Sequence, residues 1–201
     1  MNSLERTSQQ LRKSKLGAFF RPRQMEALGI DSSHLRGLMA SGAVERVARG
    51  LYRFTDYDPT EHHSLAAVCA RVPKSIVCLL SALQVHGVGS RLPREIWLAI
   101  PHKARPPHEQ GVKLRLLRFS GPAWTYGVVS TEFEGVPARI TNPARTVVDC
   151  FRFERHIGRE AAMEALRDTL RQKLATIDAL YRTLEVLPSR RLHSVLEATA
   201  P

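Results

Sequence analysis

The order of helix and hairpin signals near the N-terminus constrains the fold more than any other feature of this sequence. Pro22 suits the first turn of a short helix that stops at Gly29. After a brief turn, Asp31 or Ser32 can cap a further helix with one narrow apolar face. A loosely alternating segment then turns at Gly50, as a short hairpin does. Helix, turn, helix and hairpin in this order predict a winged helix-turn-helix.

The rest of the chain has a different pattern, and a turn-rich stretch at residues 56–60 separates the two parts. We expect a first domain over residues 1–58, which starts with a polar helix at residues 4–15. Residues 59–201 mix strand and helix patterns, and the tail after residue 158 is largely helical. The predicted fold class is α+β, in which an N-terminal winged helix-turn-helix is followed by a mixed α/β C-terminal domain with a helical tail.

The chain is strongly basic, with 30 Lys and Arg against 19 Asp and Glu, a net charge of +11. Such a surface attracts polyanions, and nucleic acid is the first partner to consider. Residues 1–58 hold ten basic and six acidic side chains, and residues 59–201 hold twenty and thirteen. Both domains are therefore positive, so charge alone does not say which one contacts DNA.

In a helix-turn-helix, the second helix enters the major groove and its first turns reach base edges. Arg36 can bond a guanine edge with two donors and is the predicted base reader. Residues at the start of the preceding helix suit phosphates, and hairpin arginines suit a minor groove. The residues predicted to contact double-stranded DNA are Arg23, Gln24, Ser32, Ser33, His34, Arg36, Arg46, Arg49 and Arg53.

The sequence contains no pattern for a phosphate-binding loop, a zinc protease helix, a paired-cysteine site or a nucleophile elbow. No catalytic residue, cofactor or metal is therefore expected. The histidines lack partners at ligand spacing: His62, His63, His86, His102 and His108. Three widely spaced cysteines in apolar surroundings predict buried thiols and a cytoplasmic protein, and no apolar run is long enough for a membrane span.

A magnesium-dependent nuclease is an alternative, because the chain is basic and Glu132 and Asp149 are candidates for partly buried acids. No lysine lies close to either of them in sequence. Asp149 is better explained by an ion pair with Arg145, four residues earlier on one helix face. The nuclease is the least favoured interpretation.

Three segments carry a resemblance to a known family: VERVARGLYR at residues 44–53, LSALQVHG at 80–87 and GVPARITNPARTVVD at 135–149. Their order and spacing resemble the AbiEi family, the antitoxins of type IV toxin-antitoxin systems of phage abortive infection. The C-terminal family pattern comprises Ala82, His86, Asn142, Arg145, Thr146 and Asp149. These residues form either an active surface or a core that defines the fold, and we favour the core.

The resemblance implies a winged helix that binds inverted repeats in its own promoter and a C-terminal domain responsible for antitoxin action. It further implies a partner toxin of nucleotidyltransferase type, which is opposed without a stable complex. Pairing of protomers on DNA is left open. The alternative is a winged-helix regulator that has no connection with a toxin.

Overall fold

The N-terminal part of the chain has the predicted order of helices and hairpin. The structure is a computed structural model that describes residues 3–14, 16–91, 93–107 and 112–199. Residue 15, the predicted end of the first helix, and His108 lie outside these residues. The elements of this part are α1 (Ser3–Lys13), β1 (Phe19–Phe20), α2 (Pro22–Ala27), a 3₁₀ turn (Ser32–His34), α3 (Leu35–Ala40), β2 (Val44–Ala48), β3 (Leu51–Phe54) and α4 (His63–Arg71).

The hairpin belongs to a small sheet whose strand order is β1-β3-β2. Both pairs in this sheet are antiparallel, and Phe20 lies opposite Tyr52. Phe20 and Phe54 pack with their ring centroids 4.9 Å apart, next to Met25 and Leu38 from α2 and α3. This apolar cluster fixes the hairpin against the helices. The sequence predicted the hairpin but not β1, which is too short to show an alternating pattern.

The first compact unit is larger than the expected domain of residues 1–58, since it comprises Met1–Pro73 and Glu132–Ala138. Within it, α4 packs against β1, and the Ala18 amide donates a 2.8 Å hydrogen bond to the Glu134 carbonyl. A Cβ at Gly17 would lie only 1.7 Å from that carbonyl oxygen and 2.3 Å from the Cα of Gly135. Only glycine permits this approach between the two backbones.

The second compact unit comprises Lys74–Thr131 and Arg139–Pro201. Its sheet has the order β6-β5-β4-β8-β7, in which β4 pairs antiparallel with β5 and parallel with β8. Its elements, some of which extend past the unit's limits, are β4 (Ile76–Val77), α5 (Leu79–Val85), β5 (Ile96–Pro101), β6 (Leu114–Phe119), α6 (Pro122–Thr125), β7 (Val128–Phe133), β8 (Val136–Thr141), α7 (Pro143–Arg152), α8 (Glu154–Ile157), α9 (Arg159–Arg171), α10 (Ile177–Val186) and α11 (Arg190–Thr199).

Helix α7 lies at the centre of the second unit and packs against α5, α9, α10 and α11. Every residue of α7 from Ala144 to Phe151 is buried. Cys69, Cys78 and Cys150 are buried free thiols, as the sequence predicted. Burial raises the pKa of the Cys69 thiol to about 12. Within the described ranges, no helix has the length and apolar character that crossing a membrane requires.

The contact at Gly17 predicts a strong effect of a single methyl group. Gly17→Ala should lower the free energy of unfolding by about 3 kcal/mol, the upper end for overpacking, because no side-chain rotation relieves a clash between backbones. Gly29→Ala is the matched control: Gly29 has φ of +72° but no atom within 4 Å of its Cβ position. It should cost only about 1 kcal/mol, for the left-handed backbone. Urea denaturation measures both, and equal losses would contradict the close approach.

Candidate nucleic-acid interface

The predicted recognition helix begins with the 3₁₀ turn and continues as α3. Asp31 caps it, since its Oδ1 accepts a 2.8 Å hydrogen bond from the Ser33 amide. That backbone hydrogen bond is the largest cause that lowers the pKa of the Asp31 carboxyl. Arg36 lies in the first turn of α3 with an exposed side chain. The position of Arg36 is therefore compatible with reaching a base edge.

The three residues before α3 differ in how free their side chains are. Ser32 donates a 2.9 Å hydrogen bond to Glu26 Oε1 at the end of α2. His34 Nδ1 lies 3.0 Å from the Thr7 hydroxyl of α1, which ties the start of the recognition segment to the first helix. Ser33 is exposed, but its side chain also hydrogen-bonds the Asp31 carboxylate. Arg36 is the exposed cationic group of this segment.

Helix α2 uses one of its two predicted phosphate contacts internally. The amide of Arg21 donates a 2.8 Å hydrogen bond to Gln24 Oε1, which closes the helix start as a capping box does. Arg23 is exposed. Sequence reasoning missed Arg21, whose guanidinium donates to the carbonyls of Gly50, at 3.3 Å, and Ala70, at 2.7 Å. Arg21 thereby joins the hairpin turn to the end of α4.

The hairpin carries two exposed arginines near its turn, Arg46 and Arg49. Its pairing slips by one residue between Arg46 and Ala48, which is a β-bulge. A bulge bends the strand and increases its local twist. Arg46 Nε donates to the Ala48 carbonyl at 3.3 Å within the same bulge. The wing therefore offers two cationic groups at its tip.

Arg53, predicted as a third wing contact, is engaged inside the first unit. It forms an ion pair with Glu45, and its Nη1 lies 2.9 Å from His63 Nε2. His63 Nδ1 lies 2.8 Å from Glu134 Oε2, and Thr60 donates to the other oxygen of Glu134. Burial alone raises the pKa of the Glu134 carboxyl, but the hydrogen bonds from Thr60 and His63 outweigh it, so the net pKa is lowered. Arg53 thus stabilises a polar network.

The predicted C-terminal pattern is distributed through the interior of the second unit. Ala82 and Thr146 are fully buried, and Asn142 caps α7 by accepting a 2.9 Å hydrogen bond from the Arg145 amide. Thr146 packs its hydroxyl 2.7 Å from that of Thr141. Burial lowers the pKa of His86, and the neutral ring donates from Nε2 to the Thr141 carbonyl at 2.7 Å. The structure places these side chains where they support the fold.

Arg145 and Asp149 form the predicted ion pair, and both side chains are 0% exposed. Arg145 Nε donates to Asp149 Oδ2 at 2.7 Å, and Nη2 donates to the Ala123 carbonyl at 3.0 Å. Arg152 donates to Asp149 Oδ1 at 2.9 Å. Burial raises the pKa of the Asp149 carboxyl, while the two arginines lower it. Both carboxylate oxygens are occupied by protein donors, an arrangement that differs from an open metal site.

Among the described residues, no three His, Cys, Asp or Glu side chains lie together in a group that could hold a metal ion. Glu132, the second acid considered for a nuclease, is exposed on β7. In the first unit, the first turn of α3 exposes Arg36, and the wing tip exposes Arg46 and Arg49. This arrangement suits the binding of an anion.

The first unit has the fold of a winged helix-turn-helix, within a chain of mixed α and β structure. A family model described as "Transcriptional regulator, AbiEi antitoxin" matches residues 9–55. That segment runs from α1 to just past β3, so the match coincides with the winged helix. The predicted resemblance to the AbiEi family is confirmed over these residues. A search of curated proteins found no match for the chain.

The buried ion pair predicts an asymmetry between two arginines that share Asp149. Arg145→Met should lower the free energy of unfolding by about 3–5 kcal/mol, because it leaves a buried carboxylate with one partner. Arg152→Met should cost only about 1 kcal/mol, since Arg152 is partly exposed and Asp149 keeps Arg145. Urea denaturation compares the two variants. Equal destabilisation would argue against Arg145 as the main partner of Asp149.

Proposed function

We propose that this chain is a DNA-binding antitoxin that represses the promoter of its own operon. The observation that carries this proposal is the match of an AbiEi transcriptional regulator family to residues 9–55, the segment that forms the winged helix. Its predicted target is a pair of inverted repeats in double-stranded DNA. We place this activity in the cytoplasm, where the promoter is.

The exposed arginines support a division of roles on DNA. Arg36 would meet a base edge from α3 in the major groove, with Ser33 beside it. Arg46 and Arg49 at the wing tip and Arg23 on α2 would contact phosphates or a minor groove, where negative potential favours a guanidinium. Gln24 and Arg53 would act indirectly, because their side chains hold α2 and β3 in place.

The antitoxin role extends the proposal to the second unit. The resemblance implies a nucleotidyltransferase-like toxin that the chain opposes without a stable complex. We propose that it does so by binding and not by catalysis. The family pattern of the second unit lies mostly in its core, so this pattern would preserve the domain, and its exposed residues would carry the opposing action.

Two wing-domain variants test the DNA contacts. Arg36→Ala should cost about 1–3 kcal/mol of affinity and relax the preference at one base position, because a bidentate base contact is lost. Arg49→Ala should weaken binding to all sequences alike and reduce the salt dependence, because a phosphate contact is lost. Gel-shift titrations on the chain's own upstream DNA and on scrambled DNA, each at two salt concentrations, separate the two effects.

The control for these titrations is Arg159→Ala, which removes an exposed arginine from α9 of the second unit. It should leave binding unchanged within the error of the assay. If the unaltered protein retained upstream and scrambled DNA equally, the promoter role would fail. If Arg36→Ala lost equal affinity for both DNAs, Arg36 would be a phosphate contact.

Co-expression tests the antitoxin role separately from repression. The reading frames beside the gene are searched for a nucleotidyltransferase-like toxin. That toxin and the chain are placed under independent inducible promoters, so that autorepression cannot affect the toxin level. We expect the unaltered chain and the Arg36→Ala variant to restore growth alike. If neither restored growth while promoter binding was intact, the chain would be a regulator without antitoxin action.

A further inference from the structure

An open cavity of about 430 Å³ lies in the second unit, where the end of α7 and the following residues meet the start of α11. Of the described residues that line it, four are arginines and none is acidic. We call it the arginine cavity, after Arg152, Arg155, Arg190 and Arg191. Pro188, Ser189 and Arg190 also line a neighbouring cavity of about 310 Å³.

The positive charge of the arginine cavity is only partly balanced. Arg152 donates to Asp149 at 2.9 Å, and Arg191 Nη1 lies 3.6 Å from Glu154 Oε1. In the described part of the chain, Arg155 and Arg190 have no carboxylate within ion-pair distance. Guanidinium groups gathered around one cavity repel each other, and an anion that enters reduces this repulsion. The cavity therefore favours an anionic ligand.

The start of α11 adds to the same potential. This ten-residue helix begins at Arg190, and Ser189, Arg190 and Arg191 at its positive end line the cavity. The Leu192 amide donates a hydrogen bond to the Ser189 hydroxyl at 3.5 Å, which is long for a helix cap. The helix end thus supplements the arginines without being the site on its own.

The arginines and the volume of the cavity indicate which class of anion it binds. Planar guanidinium groups bind phosphate oxygens in pairs, which makes arginine clusters selective for phosphate. A volume of 430 Å³ exceeds the needs of inorganic phosphate and falls in the range of small-ligand pockets, about 300–1,000 Å³. The ring of Phe153 already stacks with Phe119, at 6.0 Å, and His156, at 6.4 Å. Phe151, the other aromatic residue among the described lining residues, is buried. Recognition is therefore assigned to the phosphates.

We propose that the arginine cavity binds the phosphate groups of a nucleotide, either free or at the end of a nucleic-acid strand. This site is distinct from the promoter-binding surface of the first unit, because its arginines all belong to the second unit. It gives the second unit a ligand that the winged helix does not share.

Isothermal titration calorimetry on the full chain tests the proposal, with ATP free of magnesium, inorganic phosphate, and a short RNA with and without a 5′-phosphate as probes. The double variant Arg155→Gln, Arg190→Gln should weaken binding of ATP or of the phosphorylated RNA by about tenfold or more, because charge-assisted contacts are lost. Both side chains are exposed, so the fold should be unaffected. The matched control Arg167→Gln removes an exposed arginine of α9 and should leave both affinities unchanged.

The probes also identify the source of the phosphate. If ATP binds more tightly than the 5′-phosphorylated RNA, the ligand is a free nucleotide. If the 5′-phosphorylated RNA binds more tightly than ATP and than its own dephosphorylated form, the ligand is a strand end. The wing variant Arg49→Ala should bind these probes as the unaltered chain does, which separates this site from the promoter surface. The proposal is overturned if no phosphorylated probe binds, or if the double variant binds like the unaltered chain.

Discussion

The buried guanidinium of Arg145 is the interaction on which the second unit depends most. Arg145 is the largest side chain that is fully enclosed there, and it donates to Asp149 and to the carbonyls of Ala123 and Tyr126. Its guanidinium also lies 5.1 Å from the ring centroid of Phe119. A charge removed from water is tolerated only when its donors are satisfied. These contacts therefore fix helix α7 against the segment around α6 and against β6.

The chain around Arg145 is adapted to it. Gly127 has φ of +64°, and a Cβ there would lie 2.7 Å from the Cβ of Arg145. The backbone of Gly127 accepts a hydrogen bond from the amide of Asn142, the residue that caps α7. The same helix packs against α5, α9, α10 and α11. One buried cation thus determines where α7 lies, and α7 determines where its neighbours pack.

Local sequence signals predicted the parts of this arrangement that depend on residues close in the chain. The Arg145–Asp149 pair follows from helical spacing. The carbonyl partners of Arg145 are about 20 residues away and could not be read from local patterns. Strands β1 and β4 were missed because each has two residues, and their pairing is set by distant strands. The first unit extends past residue 58 because α4 packs against β1 and Glu134 accepts a hydrogen bond from Ala18, and such contacts between distant residues leave no local pattern in the sequence.

The nine predicted DNA contacts illustrate a similar limit, because a sequence shows charge but not its partners. Arg53 has the same residue type as Arg49, yet Arg53 pairs with Glu45 while Arg49 is exposed at the turn. The sequence assigned no role to Arg21, whose guanidinium donates to two backbone carbonyls. An arginine held by protein acceptors has fewer donors left for phosphate, so its contribution to DNA affinity falls even though the net charge is the same. The net charge of +11 therefore overstates how much positive charge is available to bind DNA. The DNA-binding surface is better defined by those arginines of the winged helix that are exposed and not held by protein acceptors.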